Sequence, residues 1–172
     1  MHYLISAAGL DRPGLVAALS RAVGGIGGNI EEASMTRLAD LFAVLLLIKV
    51  EPGTDHAAVG AALKPVADEL GLALSVIADP GSAGEGEEPT HIVNVLAVDR
   101  VGLVADVTEA IAAQGGNIVD LVARRLEHTG QPAYTMTVEA TFPSGSDPAE
   151  ALAPLKAQGI TVSVRGVDAM TL

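Results

Sequence analysis

The sequence predicts an α+β protein in which a βαββαβ unit occurs twice, each unit an antiparallel sheet with two helices on one face. Three observations lead there. A long segment repeats without a gap, short apolar runs alternate with stretches of helical period, and an acidic, glycine-rich stretch separates the two copies.

The repeat comes first. DRPGLVAALSRAVGGIGGNI at 11–30 is echoed by DRVGLVADVTEAIAAQGGNI at 99–118, offset by 88 residues throughout. Self-similarity of this length marks a duplicated unit. Between the copies, DPGSAGEGEEP (79–89) is rich in Pro, Gly, Ser and Glu and has no apolar face to bury, as expected of a flexible linker. The expected organisation is a first domain over 1–79, an acidic linker over 80–89 and a second domain over 90–172.

The elements of each unit follow in the same order. YLISAAG (3–9) and HIVNVLAV (91–98) are short apolar runs bounded by turn signals, which suits first strands. Leu15, Val16, Leu19, Val23 and Ile26 then recur at helical spacing, as do Leu103, Val104, Val107 and Ile111. Gly27-Gly28 and Gly115-Gly116 stop these helices, being residues that tolerate positive φ. NIEEASMTRLA with FAVLLLIKV forms a hairpin, matched by NIVDLVARRLEH with YTMTVEATF. There the offset widens to 92, which places a four-residue insertion of copy two in HTGQPA, in the hairpin loop.

DHAAVGAALKPVADELG (55–71) reads as a second helix capped by Asp55, and DPAEALAPLKAQG (147–159) as its shorter partner. Pro65 and Pro154 are expected to kink or shorten them. LALSVIA (72–78) and ITVSVRGV (160–167) close the two units as strands. This order is the split βαβ, ferredoxin-like arrangement, whose third strand is central. FAVLLLIKV, the most continuously apolar strand of copy one, fits that place.

Composition excludes several functions. The 172 residues are 49% hydrophobic but include only two Tyr, two Phe and no Trp, so Ala, Val, Leu and Ile must supply the core and a base-stacking platform is not expected. A net charge of −11 repels polyphosphate, which argues against direct binding of DNA or RNA. Cysteine is absent, which removes disulfides, thiolate metal sites and cysteine nucleophiles. The first residues, MHYLISAAGLDRPG, carry no basic leader, and the longest apolar run, LFAVLLLI, falls far short of the roughly 20 residues of a membrane helix. A cytoplasmic protein with no membrane partner is expected.

The chemistry concentrates at the DRPG turn. Asp11 and Asp99 either cap or precede the first helix, with Pro13 setting φ and Gly14 allowing a tight approach, or serve a ligand. In the second reading, free N–H groups around Val101, Gly102 and Leu103 bind an anion while Asp99 faces an ammonium. An acid beside such donors repels phosphate but suits a zwitterion. Asn29 and Asn117 open the next strand, where Asn either adopts left-handed geometry or offers its amide to the same ligand. Arg12 and Arg100 are read as solvated or paired to acids. His2, His56, His91 and His128 have no metal-ligand spacing, so no metal and no cofactor is expected. The glycine-rich GGIGG at 24–28 ends a helix instead of following a strand, which removes a nucleotide-binding reading.

DRPGLV with GGNI, repeated as DRVGLV with GGNI, resembles the tandem ACT domain, a regulatory amino-acid-binding module, over nearly the whole chain outside the linker. Within that group it is most similar to the glycine cleavage system transcriptional repressor type, which consists of two ACT domains alone. The resemblance implies a non-enzymatic regulator with an amino-acid ligand held between two ACT domains, at the loop after strand one of one and the start of strand two of the other. Carried over, the site residues are Asp11, Gly14 and Leu15 with Asn29 and Ile30, and Asp99, Val101, Gly102 and Leu103 with Asn117 and Ile118. It also implies a protein partner, such as a DNA-binding regulator, and a homodimer. Val101 stands where the family pattern has Pro, leaving one more N–H, so copy two is expected to be the better site. A ligand-free assembly module and an acylphosphatase-like enzyme are the alternatives.

Overall fold

The computed structural model describes residues 1–78, 88–127 and 132–167. Most of the expected linker (79–87) and the core of the expected hairpin insertion (128–131, with His128) lie outside them. The chain divides into two compact units, Met1–Gly84 and Glu85–Leu172.

Unit one runs β1 (His2–Leu10), α1 (Leu15–Gly25), β2 (Asn29–Leu38), β3 (Leu41–Lys49), α2 (His56–Leu70) and β4 (Ala73–Ala78). Unit two runs β5 (His91–Val98), α3 (Leu103–Ala112), β6 (Asn117–Leu126), β7 (Ala133–Thr141), α4 (Pro148–Ala151), α5 (Ala153–Ala157) and β8 (Thr161–Gly166). The sheets have the orders β2-β3-β1-β4 and β6-β7-β5-β8, with every pairing antiparallel. This is the βαββαβ ferredoxin-like fold twice, with the third strand of each unit inside the sheet.

Period-two alternation sets the core. Tyr3, Ile5 and Ala7 of β1 and Phe42, Val44, Leu46 and Ile48 of β3 point to the helix side and are buried. They meet Leu15, Leu19 and Val23 of α1 and Val59, Leu63 and Ala67 of α2. Unit two repeats the scheme with Val93, Val95, Met136 and Val138 against Leu103, Val107 and Ile111. Asp55 caps α2 as the sequence predicts, accepting from the Ala58 N–H at 2.8 Å. Pro65 sits inside an unbroken α2, whereas the shorter partner splits into α4 and α5 with Pro154 in the first turn of α5.

The two-residue turn between β2 and β3 places Ala39 at φ 53°, the one non-glycine residue with positive φ among the described residues. A Cβ there crowds the following carbonyl, a strain that glycine lacks. Ala39→Gly is therefore expected to stabilise unit one by about 0.5–1 kcal/mol, after allowing for the greater freedom of unfolded glycine. A urea unfolding midpoint unchanged or lower than that of the parent contradicts this.

Candidate functional site

The loop after the first strand is built identically in both units. Asp11 donates its backbone N–H to the Asp40 carbonyl at 2.8 Å, and Asp99 donates to the Pro132 carbonyl at 2.9 Å, despite the insertion between them. Gly14 (φ 93°) and Gly102 (φ 85°) then turn the chain in the left-handed region and occupy the N-cap position of α1 and α3. Neither helix has a side-chain cap. Of the two structural roles read for Asp11 and Asp99, capping the first helix or preceding it, the second holds, because the helices begin four residues later. Gly14 is required for its φ and not for a tight approach, since nothing lies within 4 Å of a Cβ built there. Pro13 precedes the cap instead of opening the first turn.

What holds the two acids is an arginine that sequence reasoning missed. Arg37 Nη1 lies 3.7 Å from Asp11 Oδ2, and Arg125 Nε lies 3.1 Å from Asp99 Oδ2. Both arginines come from the far end of the second strand and share the 88-residue offset. That identity, TRL against RRL, was the available signal. The carboxylates are about 30% exposed and the guanidiniums 60% or more, so both charges face solvent at the loop rim.

The two helix starts differ electrostatically. The first turn of α1 contains no acid, whereas Asp106 stands in the first turn of α3 and binds Arg100. Arg100 also donates to the Val101 carbonyl and to Gln158 Oε1, and Arg12 donates to the Glu69 carbonyl at 3.3 Å. A carboxylate beside the free N–H groups of α3 already meets their partial positive charge. In unit one the equivalent position is Ala18. A depression of about 280 Å³ lies beside the start of α1, bounded by Asp11, Arg12, Gly14, Leu15, Met35 and Phe42.

Asn29 and Asn117 lie elsewhere. Each begins its strand, paired opposite Lys49 and Thr141, and a β-bulge follows at once in both units. The nine steps of β2 put Asn29 and Ile30 about 30 Å from Asp11 within unit one. The same separation holds for Asn117 and Ile118 from Asp99 along β6. Both asparagines are exposed, have ordinary strand geometry, and make no side-chain hydrogen bond among the described residues. The left-handed residues are Gly27 and Gly115 before them, each at φ 69°. In copy one the bulge residue Glu31 pairs with His2 at 3.1 Å and Lys49 at 3.8 Å.

His56 and His91 have structural contacts. His56 Nε2 contacts the Val76 carbonyl at 3.0 Å, and His91 meets Phe142 edge-on with ring centroids 5.3 Å apart. No group of three or more His, Asp or Glu is placed to hold a metal ion among the described residues. No helix among them is long and apolar enough to cross a membrane.

Fold and repeated loop together define a duplicated split βαβ module. The chain belongs to the ACT domain family: residues 2–76 and 91–157 each match an ACT domain. A protein from Galdieria sulphuraria superposes with a TM-score of 0.81 at 26% identity, covering 96% of this chain and 98% of that one. A protein assigned as a glycine cleavage system transcriptional repressor shares the fold with a TM-score of 0.71 at 22% identity, covering 96% of both chains. A UPF0237 protein of Methanopyrus kandleri is 34% identical over 70 residues, 40% of this chain and 78% of its own length.

Proposed function

We propose that this chain is a non-enzymatic regulator that binds a small amino acid at the loop after β1 and relays the bound state to a protein partner. The observation that carries this reading is the pairing of Asp11 with Arg37 beside the uncapped start of α1 and its 280 Å³ depression. Such a rim offers an anion to an ammonium, and a cation with free N–H groups to a carboxylate. The depression falls just below the roughly 300–1,000 Å³ of drug-sized pockets, which suits a small ligand. Gly14 and Leu15 line it at the start of α1, and Met35 and Phe42 add apolar lining.

Unit one is the better site in this reading, the reverse of the sequence expectation. Asp106 loads the start of α3, and the extra N–H of Val101 lies before the Gly102 cap. Asp99, Val101, Gly102 and Leu103 form the weaker copy. A ligand that also touches an asparagine amide must take it from another ACT domain, since the strand carries Asn29 and Asn117 away from their own loops. Differential affinity between two states, on the order of 1–3 kcal/mol, is enough to switch a partner. The acidity of the chain favours a DNA-binding protein over DNA itself as that partner, in the cytoplasm. The fold shared with the glycine cleavage system repressor makes glycine the first ligand to try. The acylphosphatase alternative needs a guanidinium free to hold phosphate, and Arg100 is engaged by Asp106.

A thermal-shift panel of free amino acids tests the proposal. At a hundredfold excess over Kd the ligand stabilises its domain by about 2.7 kcal/mol, a shift of several degrees. Absence of a shift with every member of the panel overturns it.

A further inference from the structure

Met35 is a large apolar side chain that the core of unit one does not use. It is 55% exposed and does not join the buried cluster to which Leu15, Phe42 and Val44 belong. Register pairs Met35 with Val44 and Arg37 with Phe42, so both side chains stand on the helix side of β2, near the start of α1. The equivalent place in unit two is Ala123, which packs against its own core, so the fold has no need of a long apolar side chain there. In unit one Met35 lines the 280 Å³ depression together with buried Leu15 and Phe42 and with Val16 of α1. Two steps of β2, about 7 Å, separate it from Arg37, whose guanidinium meets Asp11.

We propose that Met35 is the specificity-determining residue of this depression and that the ligand it selects is an amino acid with an aliphatic side chain. The inference rests on the amino-acid site proposed above and names the class of ligand for it. An ammonium at Asp11 and a carboxylate at Arg37 and the start of α1 leave the ligand side chain to run along β2 toward Met35. A side chain of the length of leucine or methionine covers that distance, whereas glycine leaves the thioether in water. A charged side chain finds no partner on this path. Asp11 is engaged by Arg37, and Arg12, the other charge lining the depression, donates to the Glu69 carbonyl at 3.3 Å. Methionine suits the task because an unbranched, polarisable thioether adapts to apolar shapes. Each methylene withdrawn from water raises affinity about fourfold, and an open depression covers about half of a leucine side chain, so leucine should bind at least about tenfold tighter than glycine.

Isothermal titration of the full chain with glycine, leucine, methionine and asparagine tests the assignment, asparagine having nearly the shape of leucine without its apolar surface. Leucine and methionine are expected to bind at least about tenfold tighter than glycine or asparagine. Met35→Ala should weaken leucine binding about tenfold and glycine binding less than about threefold, and Met35→Leu should keep the parental order. Asp11→Ala, by contrast, should weaken every member of the set by the same factor. Because Met35 is exposed on an edge strand, both of its variants should keep the parental circular dichroism spectrum. Glycine or asparagine binding as tightly as leucine, or a Met35→Ala variant that loses glycine and leucine alike, overturns the assignment of Met35 and leaves the amino-acid site standing. Absence of binding by all four overturns the inference, and extension to the full panel then decides whether the amino-acid site falls with it.

Discussion

Gly28→Ala and Gly116→Ala are each expected to lower the stability of their own domain by about 3 kcal/mol, a large share of the 5–15 kcal/mol typical of a whole domain. A Cβ on Gly28 lies 2.8 Å from Val23 Cγ1 and 2.9 Å from the Val23 carbonyl oxygen. On Gly116 it lies 2.7 Å from Phe142 Cε1 and 2.9 Å from the Ile111 carbonyl oxygen. Real Cβ atoms do not approach this closely, so the chain must move. The same carbonyls accept the Gly28 and Gly116 N–H bonds at 3.0 and 3.1 Å, and displacement stretches those bonds as well. The neighbouring glycines are held by a different cause. Gly27 and Gly115 have positive φ, and around Gly27 there is open space, so Gly27→Ala should cost about 1 kcal/mol and Gly27→Asn less. Hydrogen exchange resolved by peptide reads the two units separately. Equal losses of protection for Gly27→Ala and Gly28→Ala would contradict the distinction.

The same motif shows how far the sequence carried. Gly-Gly as a helix stop was legible because left-handed geometry is a local demand, and the repeat showed it twice. The division of labour between the two glycines was not, because it depends on where Val23, Ile111 and Phe142 pack. Element order and the central position of β3 followed from periodicity, which burial on one face of each sheet enforces. The site was legible only in part. Asp11 and Gly14 were located, but their roles were not, because capping depends on where the first helical φ falls. Arg37 and Arg125 sat in plain view within the repeat. Only the register, which brings the end of β2 and the end of β1 to opposite sides of the start of β3, makes them partners of the acids. Asn29 is near the turn in the motif and far from it in space, because an extended strand intervenes. Asp106 breaks the repeat by replacing an alanine, and its effect becomes visible once α3 is known to start at Leu103.

Exchange of the charges of one ion pair should separate a ligand site from a structural staple. Asp11→Ala is expected to weaken amino-acid binding about thirtyfold, since a hydrogen bond to a charged group contributes about 1.5–3 kcal/mol. Arg37→Ala should cost roughly tenfold, as the α1 N–H groups retain part of the carboxylate's stabilisation. Neither change should cost more than about 1 kcal/mol of stability, because the pair is solvent-exposed and separated by 3.7 Å. The double variant Asp11→Arg with Arg37→Asp restores attraction between the two side chains but reverses the rim. A staple would tolerate the exchange. A zwitterion site would not, because the new acid and the new base face the wrong ends of the ligand. Isothermal titration of the parent, the single variants and the exchange decides between them, with Asp99→Ala as a companion expected to change affinity by less than about threefold, given that Asp106 already occupies the field of α3. Recovery of parental affinity in the exchange variant would sink the ligand role of Asp11 and leave it a fastener between loop and hairpin.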